Sequence, residues 1–410
     1  MKLYEDLKWR GLIKDVAGND LEDKLNNEII TFYWGTDPTA DSLHLGHYSS
    51  LVTAKRLAQY GHHPILLIGG ATGLIGDPRP TSEREIISKE ELARNLKGLT
   101  EQVSNIFKGN VEIVNNNDWI SKFNLTDFLR EVGKYINVNY MLDKDIINRR
   151  LSTGITFAEF AYTLIQGYDF LHLFKEKNCL LQAAGSDQWG NITTGLDLIK
   201  KKTGKEAYAF TMPLILDASG KKFGKSEGNA LWLDENKTSS YELYQYLINS
   251  DDSKVIEYLK VFTFLSKEEI EKLELSTKEN PHLREAHKAL AREIITDLHG
   301  KDSYNRALKI SQSLFSGNIK ELSKEEIKIG FKDVPSFKAS EENIVDFLVN
   351  NKIASSKREA REFINAGSIM INGDKIIDVD YKVTKDCAID NEILVIRRGK
   401  KKYYLGIFGE

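Results

Sequence analysis

Two histidines three residues apart, His44 and His47, are the first side chains with an evident chemical use. They follow a loop that contains Asp37 and Thr39, and they begin a predicted helix. Backbone N–H groups at a helix N-terminus favour anions, and Gly46 leaves room for a nucleotide. We therefore predict a phosphate-binding turn. Two satisfied surface histidines are the alternative. A zinc site would need a third ligand close in sequence, and none is present.

A second candidate site contains Lys222 and Lys225, in a glycine-containing stretch that ends in Ser226. The stretch ends like a P-loop, but that motif would require glycine at position 219, where the sequence has Ser219. We interpret it as a mobile loop whose lysines close over a polyphosphate. A lysine-rich exposed hairpin tip is the alternative.

A third candidate site lies on the mostly apolar stretch Ile155–Phe174, which predicts a buried helix. Tyr162, Gln166 and Asp169 fall on one narrow stripe of that helix. Buried polar groups need partners, so either internal hydrogen bonds or a polar ligand must satisfy them. The loop 185–190 after the next strand favours a ligand, because ligands gather beyond the carboxyl ends of parallel strands.

The elements that must position these residues alternate short apolar runs with amphipathic stretches, which indicates βαβ units on a parallel sheet. The predicted strands include Ile29–Trp34, Pro64–Ile68 and Cys179–Ala183. We predict a catalytic domain over 1–237, an α-helical domain over 238–325, a linker over 326–340 and a small α+β domain over 341–410.

The last domain carries clustered cations although its net charge is zero. Ser356 begins a predicted helix that places Lys357, Arg358 and Arg361 on one side, and a second run holds Arg397, Arg398 and Lys400. Clusters of this kind beside aromatic residues suit an RNA backbone. A solvated helix face and a frayed tail are the alternative.

The composition sets the class of protein. The chain has 410 residues, 41% of them hydrophobic, which excludes wholesale disorder and collagen-like fibres. No apolar stretch is long enough to span a membrane. The 2 cysteines lie far apart in sequence and indicate a reducing cytoplasm, and a net charge of −3 leaves nucleic-acid binding to local clusters.

Four segments in this order resemble the class I aminoacyl-tRNA synthetases, and among them the bacterial tyrosyl-tRNA synthetases. They are YWGTDPTADSLHLGH (Tyr33–His47), GGATGLIGDP (Gly69–Pro78), GSDQWGN (Gly185–Asn191) and KFGKS (Lys222–Ser226). The resemblance covers nearly the whole chain, including a terminal domain similar to a small RNA-binding domain of a ribosomal protein. It implies a Rossmann-like, doubly wound catalytic domain that activates L-tyrosine with ATP and then transfers the tyrosyl group to tRNA.

The resemblance also implies the site residues. The expected tyrosine-binding residues are Tyr33, Asp77, Tyr162, Gln166, Asp169 and Gln188. The expected ATP-binding residues are Asp37, Gly46, Gly185, Asp187 and Lys225. The expected catalytic residues are Thr39, His44, His47, Lys222, Lys225 and Ser226, with Arg84 as a further contact to pyrophosphate. The expected tRNA-binding residues are Lys357, Arg358, Arg361, Arg397, Arg398 and Lys400. Magnesium is expected with ATP, but no metal ligand from the chain and no prosthetic group. A homodimer is expected as well.

Three positions depart from the family pattern. Trp34 and Ser50 stand where a small residue, commonly Cys, and a Thr contact the ribose. The loop Asp77–Ser82 is a residue short and lacks the usual Lys, for which Arg79 could substitute. We therefore expect an ATP site with altered ribose contacts.

Three other interpretations share some of these features. A tryptophanyl-tRNA synthetase has the same fold and nucleotide motifs, but Tyr33 with Asp169 favours a phenol over an indole. A stand-alone nucleotidylyltransferase has no need of the helical and terminal domains. An RNA-binding protein on a synthetase scaffold would tolerate the loss of His44, His47 or Lys225, and all three are present.

Overall fold

The structure, a computed structural model, describes residues 1–77, 87–226, 229–332, 334–399 and 402–409. The side chains of Ile146 and Ser226 lie outside this description. The chain divides into two units. The first unit comprises Met1–Thr238 and Ile248–Leu298, and the second comprises Ser239–Leu247 and His299–Glu410.

The helices of the described residues follow in chain order. They are α1 (Leu3–Trp9), α2 (Leu21–Asn27), α3 (Tyr48–Gln59), α4 (Lys89–Ile106), α5 (Asn117–Ile120), α6 (Leu125–Glu131), α7 (Val138–Leu142), α8 (Asp145–Arg150), α9 (Phe157–Lys177), α10 (Trp189–Thr203), α11 (Ser240–Ile248), α12 (Val255–Phe262), α13 (Lys267–Glu279), α14 (Glu285–His299), α15 (Lys301–Ser316), α16 (Lys324–Gly330), α17 (Ile344–Asn350) and α18 (Lys357–Asn365).

The strands of the described residues are shorter and form four sheets. They are β1 (Val16–Ala17), β2 (Thr31–Thr36), β3 (His63–Ile68), β4 (Glu112–Asn115), β5 (Cys179–Gly185), β6 (Tyr208–Met212), β7 (Lys225–Ser226), β8 (Asn229–Ala230), β9 (Ser336–Ala339), β10 (Glu342–Asn343), β11 (Ile369–Ile371), β12 (Asp374–Ile376), β13 (Lys382–Val383), β14 (Ile393–Arg398) and β15 (Lys402–Phe408).

The first unit is built on a sheet with the strand order β1-β6-β5-β2-β3-β4. All its pairings are parallel except that of the edge strand β1 with β6. The chain runs from β2 outward through β3 to β4 and then returns to place β5 on the other side of β2. The order therefore reverses between β2 and β5, which is the place where open α/β sheets bind ligands. The predicted α/β fold with a doubly wound parallel sheet is confirmed.

Apolar residues on both sides of the sheet explain why these strands form. β3 is a run of Ile65, Leu66, Leu67 and Ile68 in which every residue is buried. Continuous burial of this kind is typical of a parallel strand covered by helices on both faces. The observed strands reproduce the predicted ones with ends shifted by one or two residues.

The helix α9 carries the predicted polar stripe. It begins at a capping box in which Thr156 accepts a hydrogen bond from the backbone of Glu159, whose side chain reaches back to Thr156. It ends at Asn178, which has the left-handed backbone that terminates helices. These local signals place the helix end immediately before β5, and hence set the stripe beside the end of the sheet.

The second unit contains a sheet with the order β12-β11-β14-β15-β9. The turn between β11 and β12 is a hairpin turn in which Asn372 and Gly373 have φ angles of 49° and 91°, as type I′ requires. Ser356 begins α18 as predicted, but only half of a capping box forms there. Ser356 accepts from the Glu359 backbone, but the Glu359 carboxylate bonds to Ser355 instead of Ser356.

The two units do not follow the predicted domain boundaries. The range 238–325 is helical as predicted, but α11 and α15 belong to the second unit and α12 to α14 almost wholly to the first. The predicted linker 326–340 contains the end of α16 and the strand β9. The division into three independent domains stays a prediction. Among the described helices, none has the length and apolar character needed to cross a membrane.

Candidate active site

A cavity of about 510 Å³ opens beyond the ends of β2 and β5. Every predicted tyrosine-binding, ATP-binding or catalytic residue whose side chain the structure describes lines this cavity. Arg84 lies outside the described residues. The set is Tyr33, Asp37, Thr39, His44, Gly46, His47, Asp77, Tyr162, Gln166, Asp169, Gly185, Asp187, Gln188, Lys222 and Lys225. Ser226 belongs to β7, but its side chain is not described.

The stripe on α9 reaches the end of β2 through Tyr162. Its hydroxyl donates to Oδ2 of Asp37 at 2.9 Å, and the hydroxyl of Thr72 donates to Oδ1 of the same carboxylate at 2.7 Å. A Cβ atom on Gly69 would lie 2.0 Å from that Oδ1, so only glycine allows this contact. Asp37 is therefore held beside the stripe of α9.

Asp169 is buried and accepts hydrogen bonds from two side chains, one directly before α5 and one within it. Asn116 donates to its Oδ2 at 3.0 Å, and the indole of Trp119 donates to its Oδ1 at 2.8 Å. Burial raises the pKa of Asp169 to about 7, with a contribution from the charge of Asp37, while the two hydrogen bonds oppose the shift. The carboxylate is thus oriented and titrates near neutral pH.

Two buried polar atoms of the cavity lining have no hydrogen-bond partner among the described residues. They are the hydroxyl of Tyr33 and the Oε1 atom of Gln166. Burial raises the pKa of Tyr33 well above its ordinary value, and the charge of Asp169 adds to the shift. Unpaired buried polar atoms are costly, so a ligand with matching polar groups would be stabilised here. The α9 stripe is therefore only partly satisfied by internal bonds.

Asp77 joins the end of the GGATGLIGDP segment to α10. Gln188 donates to its Oδ2 at 2.9 Å, and Asn191 donates to its Oδ1 at 3.3 Å. Asn191 also donates to Oε1 of Gln188 at 3.0 Å and accepts from Thr163 at 2.8 Å. These bonds bring the predicted pair Asp77 and Gln188 together on one side of the cavity.

The two histidines lie on a short 3₁₀ turn, Leu45–His47, directly before α3. Their ring centroids are 3.9 Å apart. Nδ1 of His44 accepts from the backbone of Gly46, and Nδ1 of His47 accepts from the backbone of His44. Burial lowers the pKa of His47 to about 3, with further contributions from His44 and Lys222. Burial and the two loop lysines lower the pKa of His44 as well. Both rings are therefore neutral at pH 7.

The predicted lysine loop forms a small hairpin next to this turn. Lys222 and Lys225 are exposed and line the cavity. Among the described residues, no carboxylate forms an ion pair with either lysine. Two exposed cations beside a turn rich in N–H groups can attract a polyphosphate.

Trp34 also borders the cavity, but its ring packs into the core. It stacks on Phe107 at the end of α4, with ring centroids 5.4 Å apart, and on Phe32, at 6.4 Å. Only 5% of the residue is exposed. The expected effect of Trp34 and Ser50 on ribose contacts stays a prediction.

The predicted tRNA-binding cations of the second unit have different surroundings. On α18, Lys357 pairs with Asp346 at 2.6 Å, Arg358 pairs with Glu362 at 3.0 Å, and Arg361 is exposed. On β14, Arg397 contacts the sulfur of Met370, and Arg398 donates to the carbonyl of Ile353. The guanidinium of Arg398 also lies 5.3 Å from the ring centroid of Phe363 on α18. The fold thus brings the two sequence clusters next to each other.

Some residues at the cavity were not predicted from the sequence, and some predicted residues lie outside the described part of the structure. Sequence reasoning missed Asn116 and Trp119, which have no recognisable spacing relative to Asp169. It also missed Thr72, although Thr72 stands within the quoted GGATGLIGDP segment and could have been found there. Asn191 stands within the quoted GSDQWGN segment and could have been found there. Arg79, Arg84 and Lys400, together with most of the Asp77–Ser82 loop, lie outside the described residues.

Comparison with known proteins agrees with this geometry. The family model for tRNA synthetases class I (W and Y) matches residues 25–316. The model for the tyrosine–tRNA ligase SYY-like C-terminal domain matches residues 326–406. A tryptophanyl-tRNA synthetase from Encephalitozoon cuniculi is 16% identical with a TM-score of 0.55, and the match covers 74% of this chain and 87% of that one. At that identity the likeness shows a shared fold alone.

Two solved structures are much more similar in sequence. A C-terminally truncated mitochondrial tyrosyl-tRNA synthetase from Aspergillus nidulans is 34% identical with a TM-score of 0.68, over 77% of this chain and 94% of that one. The corresponding enzyme from Coccidioides posadasii is 32% identical with a TM-score of 0.66, over 75% and 91%. The chain therefore belongs to the class I tRNA synthetases and, within them, to the tyrosyl-tRNA synthetases.

Proposed function

We propose that this tyrosine–tRNA ligase binds L-tyrosine with its phenol between Tyr33 and Asp169. The observation that carries this assignment is the buried hydroxyl of Tyr33, which has no partner among the described residues. Besides burial, the charge of Asp169 raises the pKa of this hydroxyl. A phenolic hydroxyl can accept from Tyr33 and donate to the carboxylate at the same time. Phenylalanine would leave both groups buried and unpaired, a discrimination for which tyrosyl-tRNA synthetases are the standard example.

The amino-acid backbone of tyrosine is assigned to the opposite end of the α9 stripe. Asp77, Tyr162 and Gln166 bind the α-ammonium, since a carboxylate and the free Oε1 of Gln166 are acceptors for its three N–H groups. Gln188, which donates to Asp77, orients the substrate carboxylate. This arrangement leaves the carboxylate facing the nucleotide side of the cavity.

ATP is assigned to the remainder of the cavity. Asp37, Gly46, Gly185 and Asp187 contact the adenosine, while Thr39, His44 and His47 contact the phosphates and ribose. The hydrogen bonds from Tyr162 and Thr72 hold Asp37 between the two substrates. Neutral imidazoles at His44 and His47 can donate or accept without adding charge.

In the first reaction, an oxygen of the tyrosine carboxylate forms a bond to the α-phosphorus of ATP. The bond between that phosphorus and the bridging oxygen breaks, and pyrophosphate leaves with the electron pair. The chain supplies no nucleophile, so positioning and charge stabilisation provide the acceleration. Lys222, Lys225 and Ser226 close over the pyrophosphate, whose negative charge grows as it leaves, and therefore favour the transition state over the ground state.

Magnesium accompanies ATP in this proposal. No group of three or more His, Cys, Asp or Glu side chains in the described residues is arranged to hold a metal ion. Mg²⁺ usually keeps several waters and binds substrate phosphates with few protein ligands. We therefore assign the ion to the phosphate oxygens of ATP, where it would neutralise part of their charge.

The tRNA contact is assigned to the cations of the second unit, Lys357, Arg358, Arg361, Arg397, Arg398 and Lys400. Support comes from the contact of Arg398 with α18, which joins the two basic clusters. Side chains bound internally, as Arg397 and Arg398 are, position the surface more than they bind phosphate, so the exposed Arg361 is the strongest candidate.

We further propose a cytoplasmic homodimer. The region from α6 to the first residue of α9 exposes large apolar side chains to water, which is typical of a surface that binds another protein. They are Leu125, Leu129, Val138, Tyr140, Leu151 and Phe157, of which Phe157 is 73% exposed. A second copy of the chain is the proposed partner of this surface.

The experiment that tests the proposal is exchange of labelled pyrophosphate into ATP with tyrosine, tryptophan or phenylalanine as the only amino acid. We expect exchange with tyrosine alone. Exchange with tryptophan would overturn the roles of Tyr33 and Asp169, and folded protein without any exchange would overturn adenylate formation. Charging of tRNA with labelled tyrosine then tests the second reaction.

A further inference from the structure

The KFGKS loop contains one buried side chain between its exposed lysines. Phe223 is 3% exposed, whereas Lys222 and Lys225 on either side are exposed. Its ring lies against two aromatic rings of α12, with centroid distances of 4.4 Å to Tyr258 and 4.7 Å to Phe262. Residues four apart share one face of a helix, so α12 presents both rings to Phe223 together.

The same helix also holds the other arm of the hairpin. The hydroxyl of Tyr258 donates to the carbonyl of Leu216 at 3.1 Å. Leu216 pairs with Lys222 as an isolated bridge, and the backbone of Phe223 donates to Ile215 at 3.0 Å. Tyr258 therefore contacts both arms of the loop that carries the lysines.

The aromatic site on α12, formed by Tyr258 and Phe262, is connected to the histidine turn through Tyr48. Phe262 stacks on Tyr48, the first residue of α3, with ring centroids 5.9 Å apart and planes 13° apart. The hydroxyl of Tyr48 donates to Asp297 at 2.8 Å. Because Tyr48 directly follows His47, the ring of Phe262 packs on both the lysine loop and the end of the histidine turn.

The end of α12 is itself held by buried charges. Arg10 donates to the carbonyl oxygens of Lys260, Thr263 and Leu265, and Arg56 donates to that of Thr263. A buried arginine that donates several hydrogen bonds restricts the backbone that it contacts. The rings of α12 therefore belong to a rigid part of the first unit.

A second close contact lies one residue after Phe223. Gly224 has a φ of +86°, and a Cβ atom there would be 2.8 Å from the backbone nitrogen of Gly46. Leu231 donates to the carbonyl of Gly224 and accepts from Leu45. The backbones of the lysine loop and of the histidine turn thus touch, with no side chain between them.

We propose that Phe223 is a positioning residue for the transfer of the adenylyl group, acting through Lys222 and Lys225. Packing of its ring on Tyr258 and Phe262 fixes the distance of both lysines from the histidine turn, so that their charges lie close to the leaving pyrophosphate. Exposed lysine side chains would otherwise sample many positions, and a transition state requires one. The inference rests on the proposed function, because it needs adenylate formation in this cavity.

The test compares Phe223→Ala, Phe223→Leu and a control, Leu290→Ala, which empties a fully buried site in α14 of the same unit. We expect Phe223→Ala to lower kcat for tyrosine-dependent pyrophosphate exchange by about 30-fold, with the Kd for tyrosine unchanged. Phe223→Leu fills most of the space against Tyr258 and Phe262 and should recover the greater part of the lost kcat. Leu290→Ala should lower the melting temperature and leave kcat nearly unchanged.

A double-mutant cycle with Lys225→Ala separates positioning from mere stability. In the wild-type background the loss of Lys225 should cost about 100-fold in kcat, but in the Phe223→Ala background only a few-fold, since the lysine is already misplaced. Fully additive effects, or a kcat of Phe223→Ala like that of Leu290→Ala, would overturn the inference alone. Wild-type protein without tyrosine-dependent exchange would overturn the proposed function and this inference together.

Discussion

Trp119 donates a hydrogen bond from its indole nitrogen to Oδ1 of Asp169 at 2.8 Å, and its ring stacks on His172, one helical turn further along α9. The same side chain thus orients the carboxylate assigned to the phenol of tyrosine and packs on the helix that carries it. The bond opposes the effect of burial on the pKa of Asp169. We therefore expect Trp119 to contribute to tyrosine affinity.

Replacing Trp119 by Phe should weaken tyrosine binding. The ring that stacks on His172 remains, while one charge-assisted hydrogen bond to Asp169 is lost, which raises the Kd for tyrosine by about tenfold or more. Equilibrium titration of tyrosine measures the change. Asn117→Ala, an exposed neighbour in α5, is the matched control. An unchanged Kd in Trp119→Phe would remove Trp119 from the site.

Tyrosine affinity should fall as the pH drops through neutrality. Asp169 has a pKa of about 7, raised by burial, so it is ionised above that pH and protonated below it. The ionised carboxylate is the stronger acceptor for a phenol, and the Kd should rise about tenfold between pH 8 and pH 6. Titrations across this range in wild type and Asp169→Asn give the measurement. A slope of equal size in Asp169→Asn would assign the titration to another group.

His47 should make the protein less stable in mild acid. Its pKa in the folded protein is about 3, against 6.5 ordinarily, so the unfolded chain binds a proton below pH 6.5 that the folded chain does not. The free energy of unfolding from this residue therefore falls as the pH falls, by about 1.4 kcal/mol per unit below 6.5. Urea unfolding of wild type and His47→Gln at pH 7.5 and 5.5 should show a smaller loss in the variant. Parallel losses would contradict a neutral His47.

Removing Lys225 should slow the reaction without affecting tyrosine. The side chain is exposed and lines the cavity in the part assigned to ATP. Lys225→Ala should therefore lower kcat for pyrophosphate exchange by about 100-fold at an unchanged Kd for tyrosine. Lys221→Ala changes an exposed lysine of the same loop outside the cavity lining and should retain kcat. Similar rates for both variants would show that charge on the loop has no specific role.

Arg361 should contribute to tRNA affinity through a phosphate. It is exposed on α18, so Arg361→Ala should weaken tRNA binding and reduce the magnitude of the salt slope of log K by about one. Lys382→Ala, an exposed cation on β13 of the same unit, serves as the control. If both substitutions change the slope equally, the effect belongs to the net charge of the unit and not to α18.

The sequence by itself determined the elements and about half of the cavity lining. The strands β2, β3 and β5 and the helix α9 follow from hydrophobic periodicity and end signals, which are local properties. The stripe of Tyr162, Gln166 and Asp169 follows from helix geometry, and it lies on the cavity as predicted. The tRNA-synthetase family was also evident, because its motifs keep their order along the chain.

Only the tertiary structure decided which partners the polar residues have. Asn116 and Trp119 reach Asp169 across about fifty residues of chain, and Thr72 reaches Asp37 from the loop after β3. The packing of Phe223 on α12 and the division of the helical region between two units were likewise decided by the tertiary structure. Such contacts depend on how distant elements pack, and a buried group takes whichever donor the packing brings near. Local sequence patterns specify the helices and strands but not these long-range contacts.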